Sequence, residues 1–422
     1  ADPRHIELCD YADAFLQLKP GSNIALLNAM AHVIIEEGLA DMEFIEDRTE
    51  NFEALIESVK KYTPEYAANI TGVPAEEIRK AACLYGEAEV ASILYTMGIT
   101  QHTTGTNNVL AIANLAMLTG NLGNAGGGVN PLRGQNNVQG ACDMGCLPGD
   151  LPGYQKVANP EVLAKFSQAW NVELSDKPGH TVTEILPMAG REEIKGLYIM
   201  GENPMLSDPD QKHVQKVLET LDFLVVQDIF LTETAQLADV VLPAASFAEK
   251  DGCFTNTERR VQRGRKAIEP VGQARADWEI LSAVMNRLGC EQSYGSASEI
   301  QDEIAALTPA YGGISYARLE KQSLQWPCPS EDHPGTRFLH RDQCARGLGL
   351  FKPWEFQPSA ELPCDDYPLI LTTGRILYHY HTKTMTGKVD GLNKLFPGSF
   401  VEIHPATAQQ LGIEDGEKIA VA

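Results

Sequence analysis

The sequence predicts an α/β protein of several domains built on mostly parallel sheets. Three observations carry that expectation. Apolar strand-like runs alternate with segments of helical periodicity between residues 22 and 243, as strands do with crossover helices. The chain has 422 residues, enough for two to four domains with real cores. Its hydrophobic content of 43% and charged content of 22% are those of an ordinary globular protein.

The elements follow in order. "SNIALLNAMAHVIIEEGLA" reads as a helix that Ser22 can cap, with Leu27, Met30 and Ile34 on one face and Gly38 as its stop. "NFEALIESVKKY" has Phe52, Leu55, Ile56 and Val59 at helical spacing. "VPAEEIRKAACLYG" has Pro74 in a first turn and Gly86 past its end. "VASILYTMG" reads as a buried strand from Val90 to Met97, and "NNVLAIANLAMLTG" as the next helix. The rhythm resumes with the strand "IKGLYIMG", the helix "DPDQKHVQKVLETL" and the strands "FLVVQD" and "ADVVLP". From about Gly252 the pattern loosens into Gly, Pro and aromatic residues. After Tyr367, "LILTTG" and "FVEIHP" read as strands of a separate β-rich unit.

Composition excludes several classes of function. The net charge of −23, with a pI of about 4.8, argues against a nucleic-acid surface, which needs positive faces. No apolar run reaches membrane-spanning length, and the start has no signal-peptide pattern. Nine cysteines without a CxxC fit a reducing compartment, hence a cytoplasmic protein. Cys142 and Cys146 are too few to complete a metal site. The opening Asp2-Pro3-Arg4 and the closing "EDGEKIAVA" suggest a piece of a longer protein.

In parallel sheets, ligands bind beyond the carboxyl ends of strands. Three polar loops follow apolar strands: "MGITQHTTGTNN" (97–108), "MGENPMLSD" (200–208) and "QDIFLTET" (227–234). Gly98 and Gly201 stand at the first step out, where a glycine lets backbone approach a ligand. Glu202 and Asn203 suit a purine edge or a ribose, and Ser207 a phosphate. No GxGxxG follows a first strand and no P-loop occurs. "PLRGQNNVQGACDMG" (131–145) sets Arg133 among carboxamides. "TTGRILYHYHTKTMTG" (372–387) alternates basic and aromatic residues, as an extended segment with one polar face would. "NTERRVQRGRK" (256–266) is a basic run in an acidic chain, read equally as a solvated face or a phosphate or partner contact.

Together these segments resemble the molybdenum or tungsten bis-molybdopterin guanine dinucleotide (bis-MGD) oxidoreductases, most closely the catalytic α subunits of formate dehydrogenases. The resemblance spans nearly the whole chain. "RGQNNVQGACDMG" is specific to formate dehydrogenases, whereas "ADVVLP" with "TNTERRVQ" belongs to the wider family. The resemblance implies two Rossmann-like parallel-sheet domains around a cofactor cleft and the start of a C-terminal β-barrel. It divides the chain into an α/β MGD-binding domain at 1–135, a second at 136–250, an irregular segment at 251–360 and a barrel-type cap from 361 to 422.

The resemblance also assigns residues. Arg133 is the catalytic one, holding the formate carboxylate with its planar, permanently charged fork. Gly98, Gln101, His102, Gly134 and Gln135 lie near the metal and pterin. Gly201, Glu202, Asn203, Ser207, Gln227 and Asp228 hold one dinucleotide, and Asp2, Arg4, Gly21, Ser22 and Asn23 the second. His379, Lys383, Thr384 and Thr386 contact the pterin from the C-terminal domain. Asn203 and Asn23 stand where many relatives have Asp. The family's metal ligand and its [4Fe–4S] cysteines match no residue of this chain. The stretch alone is therefore expected to be inactive, within a parent that converts formate and CO2 and passes electrons to a partner. The alternatives are another molybdopterin oxidoreductase, such as an assimilatory nitrate reductase, or a non-catalytic electron-transfer relative. Arg133 within RGQNNVQG separates formate dehydrogenase from both.

Overall fold

The computed structural model describes residues 1–291 and 293–421. The chain folds into two compact units. One takes Ala1–Val182 and Ala245–Thr372, and the other takes Thr183–Ala244 and residues 373 onward. These limits differ from the four consecutive ranges read from the sequence, because the chain leaves the first unit and later returns to it.

The first unit is built around the helix Asn23–Glu36. Helices Phe52–Val59, Pro64–Thr71, Ala75–Gly86 and Gly105–Leu118 surround it. Two apolar clusters meet on it, one around Ile34, Leu55, Leu118 and Phe351, the other around Leu26, Tyr62 and Ile78. A helix buried on so many sides carries polar residues only where they have partners. Accordingly Asn28 donates to the Trp354 carbonyl (2.8 Å). Ser22 does not cap this helix through its side chain; its Oγ donates back to the Lys19 carbonyl at 2.6 Å.

Beside the helices, Ser92–Tyr95 pairs in parallel with Gly128–Pro131, setting Tyr95 opposite Pro131. The expected buried strand is only half covered. Ile93 packs on the helical cluster, while Leu94 points away and is 63% exposed. One face of this two-stranded sheet is apolar-packed, so burial alternates along it.

The stretch after Gly252 is more regular than its composition suggests. Gly252–Thr255 and Arg260–Gly264 form an antiparallel hairpin, extended by Leu324–Gln325. Helices Asp277–Arg287 and Ala297–Leu307 follow the hairpin. The basic run is absorbed within the fold. Arg263 and Arg265 pair with Glu320, Lys266 with Glu269, and Arg259 donates to the carbonyls of Trp326, Thr336 and Arg337.

In the second unit, Gly196–Met200, Phe223–Asp228 and Val240–Pro243 form a three-stranded parallel sheet with Phe223–Asp228 in the middle. Only the middle strand is buried over most of its length, having neighbours on both edges. Val214, Val217 and Leu218 of the helix Gln211–Glu219 pack against it with Leu224 and Val226.

The β-barrel start is not seen. Among the described residues from 361 onward no strand occurs. "LILTTG" and "FVEIHP" are apolar and strand-like in composition, but neither forms a strand among the described residues. Leu369, Ile370 and Leu371 are exposed instead, and His404 caps the short helix Pro405–Leu411. The 372–387 segment also departs from a simple extended form, since His381 and Lys383 turn the backbone with positive φ.

Candidate functional site

In the first unit both polar loops leave the carboxyl ends of the paired parallel strands. Residues 96–104 follow Tyr95, and residues 132–137 follow Pro131. Leu132 N donates to the Tyr95 carbonyl (2.8 Å), prolonging the pairing by one step. Arg133 comes next and is exposed. Its backbone N donates to Thr257 Oγ1 (3.2 Å), and Thr257 Oγ1 donates to the Pro131 carbonyl (2.7 Å). Among the described residues its guanidinium has no hydrogen-bond or ion-pair partner. Burial pushes the Tyr95 hydroxyl up, and the nearby Arg133 charge opposes that rise. Gly134 and Gln135 are exposed in the same loop.

The facing loop begins with the short helix Met97–Thr100. His102 Nε2 donates to the Gly98 carbonyl (3.0 Å) and lies 3.4 Å from Asn23 Nδ2 at the start of the central helix. The fold thus brings Asn23 to His102, 79 residues away in sequence, and to the loop that carries Gly98. A Cβ built on Gly98 meets no atom within 4 Å, so the backbone there is open to a ligand. Gln101 is exposed at the end of the short helix. Gly21 has φ +85°, which favours glycine, and a Cβ there would also fall 2.3 Å from Ser359 Oγ, which would have to turn aside. Asp2 caps its own turn by accepting from Arg4 N (2.8 Å).

Behind the Arg133 loop lies a residue that sequence reasoning passed over. Asp143, with no exposed surface, ends the helix Val138–Asp143. Its Oδ1 accepts from Gln139 Nε2 and the Tyr154 hydroxyl, both at 2.8 Å. Its Oδ2 accepts from the Tyr311 hydroxyl (2.6 Å) and Trp326 Nε1 (2.7 Å). Burial, reinforced by this carboxylate, holds the Tyr154 and Tyr311 hydroxyls far above the usual phenol range. The carboxylate stands within the motif, but three of its four partners come from residues 154, 311 and 326. A lone Asp in a short helix gives no sign of that.

In the second unit, Gly201 has φ +64°, and open space surrounds the position a Cβ would take. Its N donates to the Gln227 carbonyl (2.9 Å), tying the 201–208 loop to the end of the middle strand. Glu202 Oε1 accepts from Ser207 Oγ (2.7 Å). Asn203 is buried and committed at both ends of its amide. Nδ2 donates to Glu233 Oε2 (2.9 Å) and Thr384 Oγ1 (3.2 Å), while Oδ1 accepts from Thr234 Oγ1 (2.7 Å) and Thr234 N (3.2 Å). An aspartate here would set its charge against Glu233, which accounts for the amide. Gln227 is buried, and Asp228 Oδ1 accepts from Phe230 N (3.0 Å).

The C-terminal segment closes this cluster. His379, buried, donates from Nε2 to the Phe396 carbonyl (2.9 Å) and accepts at Nδ1 from Thr386 Oγ1 (3.1 Å). Lys383 Nζ reaches the Pro397 carbonyl at 3.5 Å. Glu233 and Thr234 were not singled out from the sequence, although the 227–234 loop was.

The Asn203 amide, with the backbone at Glu233 and the Lys388 charge, holds the Glu233 carboxyl below its ordinary value. A depressed carboxylate contributes stability above that value and loses it as pH falls through the folded one. The second unit should therefore weaken as pH drops below 4.5, and Glu233→Gln should flatten that dependence. Thermal unfolding of both proteins across acid pH tests this; parallel curves would refute it.

Among the described residues no three His, Cys, Asp or Glu side chains converge on a metal position, and no helix is long and apolar enough to cross a membrane.

Residues 1–287 match the family model for molybdopterin oxidoreductases, and residues 369–422 match that for the molybdopterin dinucleotide-binding domain. The chain is 54% identical over 424 residues to the F420-dependent formate dehydrogenase subunit alpha of Methanocaldococcus jannaschii, covering all of this chain and 63% of that protein. It is 45% identical over 422 residues to formate dehydrogenase H of Escherichia coli, covering 98% of this chain and 59% of that one. The chain thus spans about three-fifths of the length of these relatives. Among solved structures, acetylene hydratase from Pelobacter acetylenicus superimposes with a TM-score of 0.73 at 23% identity, covering 99% of this chain and 62% of that one. At that identity the likeness speaks for the fold alone.

Proposed function

The chain belongs to the molybdopterin oxidoreductase family, and from that premise we propose that it forms part of the catalytic α subunit of a formate dehydrogenase. The reaction is HCOO⁻ → CO2 + H⁺ + 2e⁻, or its reverse. The observation that carries the reading is Arg133. It lies exposed at the carboxyl end of a parallel strand, its guanidinium uncommitted among the described residues, within a run that resembles that of formate dehydrogenases. A guanidinium pairs two-pronged with a carboxylate and keeps its charge at every working pH. Formate has no side chain to grip, so this charge both binds and orients it. Orientation matters because the C–H bond must face the electron acceptor.

The residues present suit a large polar cofactor of the bis-MGD type, with molybdenum or tungsten. Gly98 and Gly201 offer open backbone, and polar side chains line the strand exits around them. Gly201, Glu202, Asn203, Ser207, Gln227 and Asp228 would hold one dinucleotide, and Asp2, Arg4, Gly21, Ser22 and Asn23 the other. Gln101, His102, Gly134, Gln135, His379, Lys383, Thr384 and Thr386 would line the pterins. Asn203 and His379 act by fixing loop shape, since their polar atoms are already engaged. When bound, the cofactor's metal supplies the two-electron acceptor.

Four further readings belong to this proposal. The two dinucleotide-binding regions fall within residues 1–135 and 136–250, and 251–360 and 361–422 serve the cluster-binding and cap regions. A [4Fe–4S] cluster, with ligands outside this chain, carries electrons away. A partner subunit or acceptor protein receives them. The protein works in the cytoplasm.

The test uses the full-length subunit, purified without oxygen. Formate-dependent reduction of a viologen dye, with molybdenum or tungsten found by elemental analysis, would support the reading. Metal-loaded protein that is inert to formate, or that reduces nitrate instead, would refute it.

A further inference from the structure

We infer that Thr257 and Asn137 are positioning residues that clip the Arg133 loop to one turn of the hairpin, an inference that rests on the role of Arg133 proposed above. Residues 131–137 are held at both ends. At the first end, Thr257 Oγ1 donates to the Pro131 carbonyl (2.7 Å) and accepts from Arg133 N (3.2 Å). At the other, Asn137 Oδ1 accepts from Thr255 N (2.9 Å). The two anchors are neighbours on one hairpin, Thr255 ending the strand Gly252–Thr255 and Thr257 standing in the turn that leads to Arg260–Gly264.

That turn is itself fixed. Asn256 Oδ1 accepts from Glu258 N (3.1 Å) and Arg260 N (3.0 Å), and Asn256 N donates to the Arg260 carbonyl (3.1 Å). Gly140 completes the arrangement. A Cβ there would fall 2.3 Å from Asn137 Oδ1, so glycine leaves the amide its place.

The consequence follows from the length of an arginine side chain. Four torsions separate its backbone from its charge, and an unfixed backbone would add its own freedom to theirs. Thr257 removes part of that freedom at Arg133 itself, leaving the guanidinium alone to meet the substrate. Misplacement of a substrate-orienting group by about 1 Å is costly to rate.

Thr257→Val keeps the shape and removes both hydrogen bonds, while Thr257→Ser keeps both. In the full-length enzyme, Thr257→Val is expected to lower kcat/KM for formate roughly three- to tenfold. kcat should fall as well as KM rise, as expected of lost orientation, while metal content should stay at the wild-type level and serine should restore the kinetics. An independent readout is hydrogen exchange at the Arg133 amide in the metal-free protein, which valine should speed by a similar factor and serine should not. Asn137→Leu should act in the same direction at the other end. Wild-type kinetics and wild-type exchange in Thr257→Val would overturn the inference. So would a loss of activity that tracks metal content alone. If the unmutated enzyme does not turn over formate, the function proposed above fails, and the exchange measurement still decides the clip.

Discussion

Arg133→Ala in the full-length protein is expected to lower kcat/KM for formate by roughly ten- to a hundredfold, the cost of a lost charge-assisted hydrogen bond. Arg133→Lys should fall less far. Lysine keeps the positive charge but cannot offer two parallel donors to a carboxylate. Both variants should lower kcat as well as raise KM, because a formate held by charge alone rotates away from the productive direction. Folding should be untouched, since the side chain is exposed and only the backbone N is bonded to the hairpin. Steady-state kinetics with parallel metal analysis decides the matter. Unchanged formate kinetics in a metal-replete Arg133→Ala enzyme would remove this residue from the site.

Asp143→Ala is expected to be the most damaging single change in the first unit. It removes the acceptor of four donors, those of Gln139, Tyr154, Tyr311 and Trp326, around a residue with no exposure, and of these Gln139 Nε2 keeps a second acceptor, the Tyr154 hydroxyl at 3.0 Å. An unsatisfied buried polar group costs about 1–3 kcal/mol. Relaxation and entering water recover part of the sum, which leaves a loss on the order of 4 kcal/mol. That lies at the upper end of single-mutation effects. Asp143→Asn should cost less, because one oxygen remains an acceptor while the new NH2 faces donors on the other side. Urea unfolding followed by tryptophan fluorescence would read both, with Trp326 reporting directly on the node. A midpoint within error of wild type for Asp143→Ala would show that the four bonds are not worth what their burial implies.

The sequence was most readable where local pattern and final environment agree. "FLVVQD" opens on four unbroken apolar residues, and it became the middle strand, bonded on both edges. Gly98 and Gly201 were legible because a glycine directly after an apolar strand has few other reasons to be there. Arg133 was legible as the one cation among amides. Asp143 was not, although it stands in the same motif, because its partners are brought in from up to 183 residues away. Asn203 was found, but for a ligand; its contacts to Glu233, Thr234 and Thr384 arise only in the folded unit. The runs at 369–374 and 400–405 misled for a related reason. Apolar composition favours a strand, yet a strand exists only through its neighbour.

The division of the second unit into two separated pieces bears on how the protein emerges from the ribosome. Thr183–Ala244 is made first, carrying its three parallel strands and the Asn203 amide. Thr384, which accepts from that amide, lies 181 residues further on. At synthesis rates of about 5–20 residues per second, the interval is on the order of ten to forty seconds. Throughout it, the early piece must persist without its later half, while the remainder of the first unit is still being made. Its exposed strand residues, Tyr198, Met200, Val240 and Val241, are open to solvent in the finished fold and so also in this nascent one. A chaperone that shields extended apolar segments would find its longest-lived substrate here, and slowing translation beyond Ala244 should lower the yield of correctly assembled protein more than slowing it beyond Thr384.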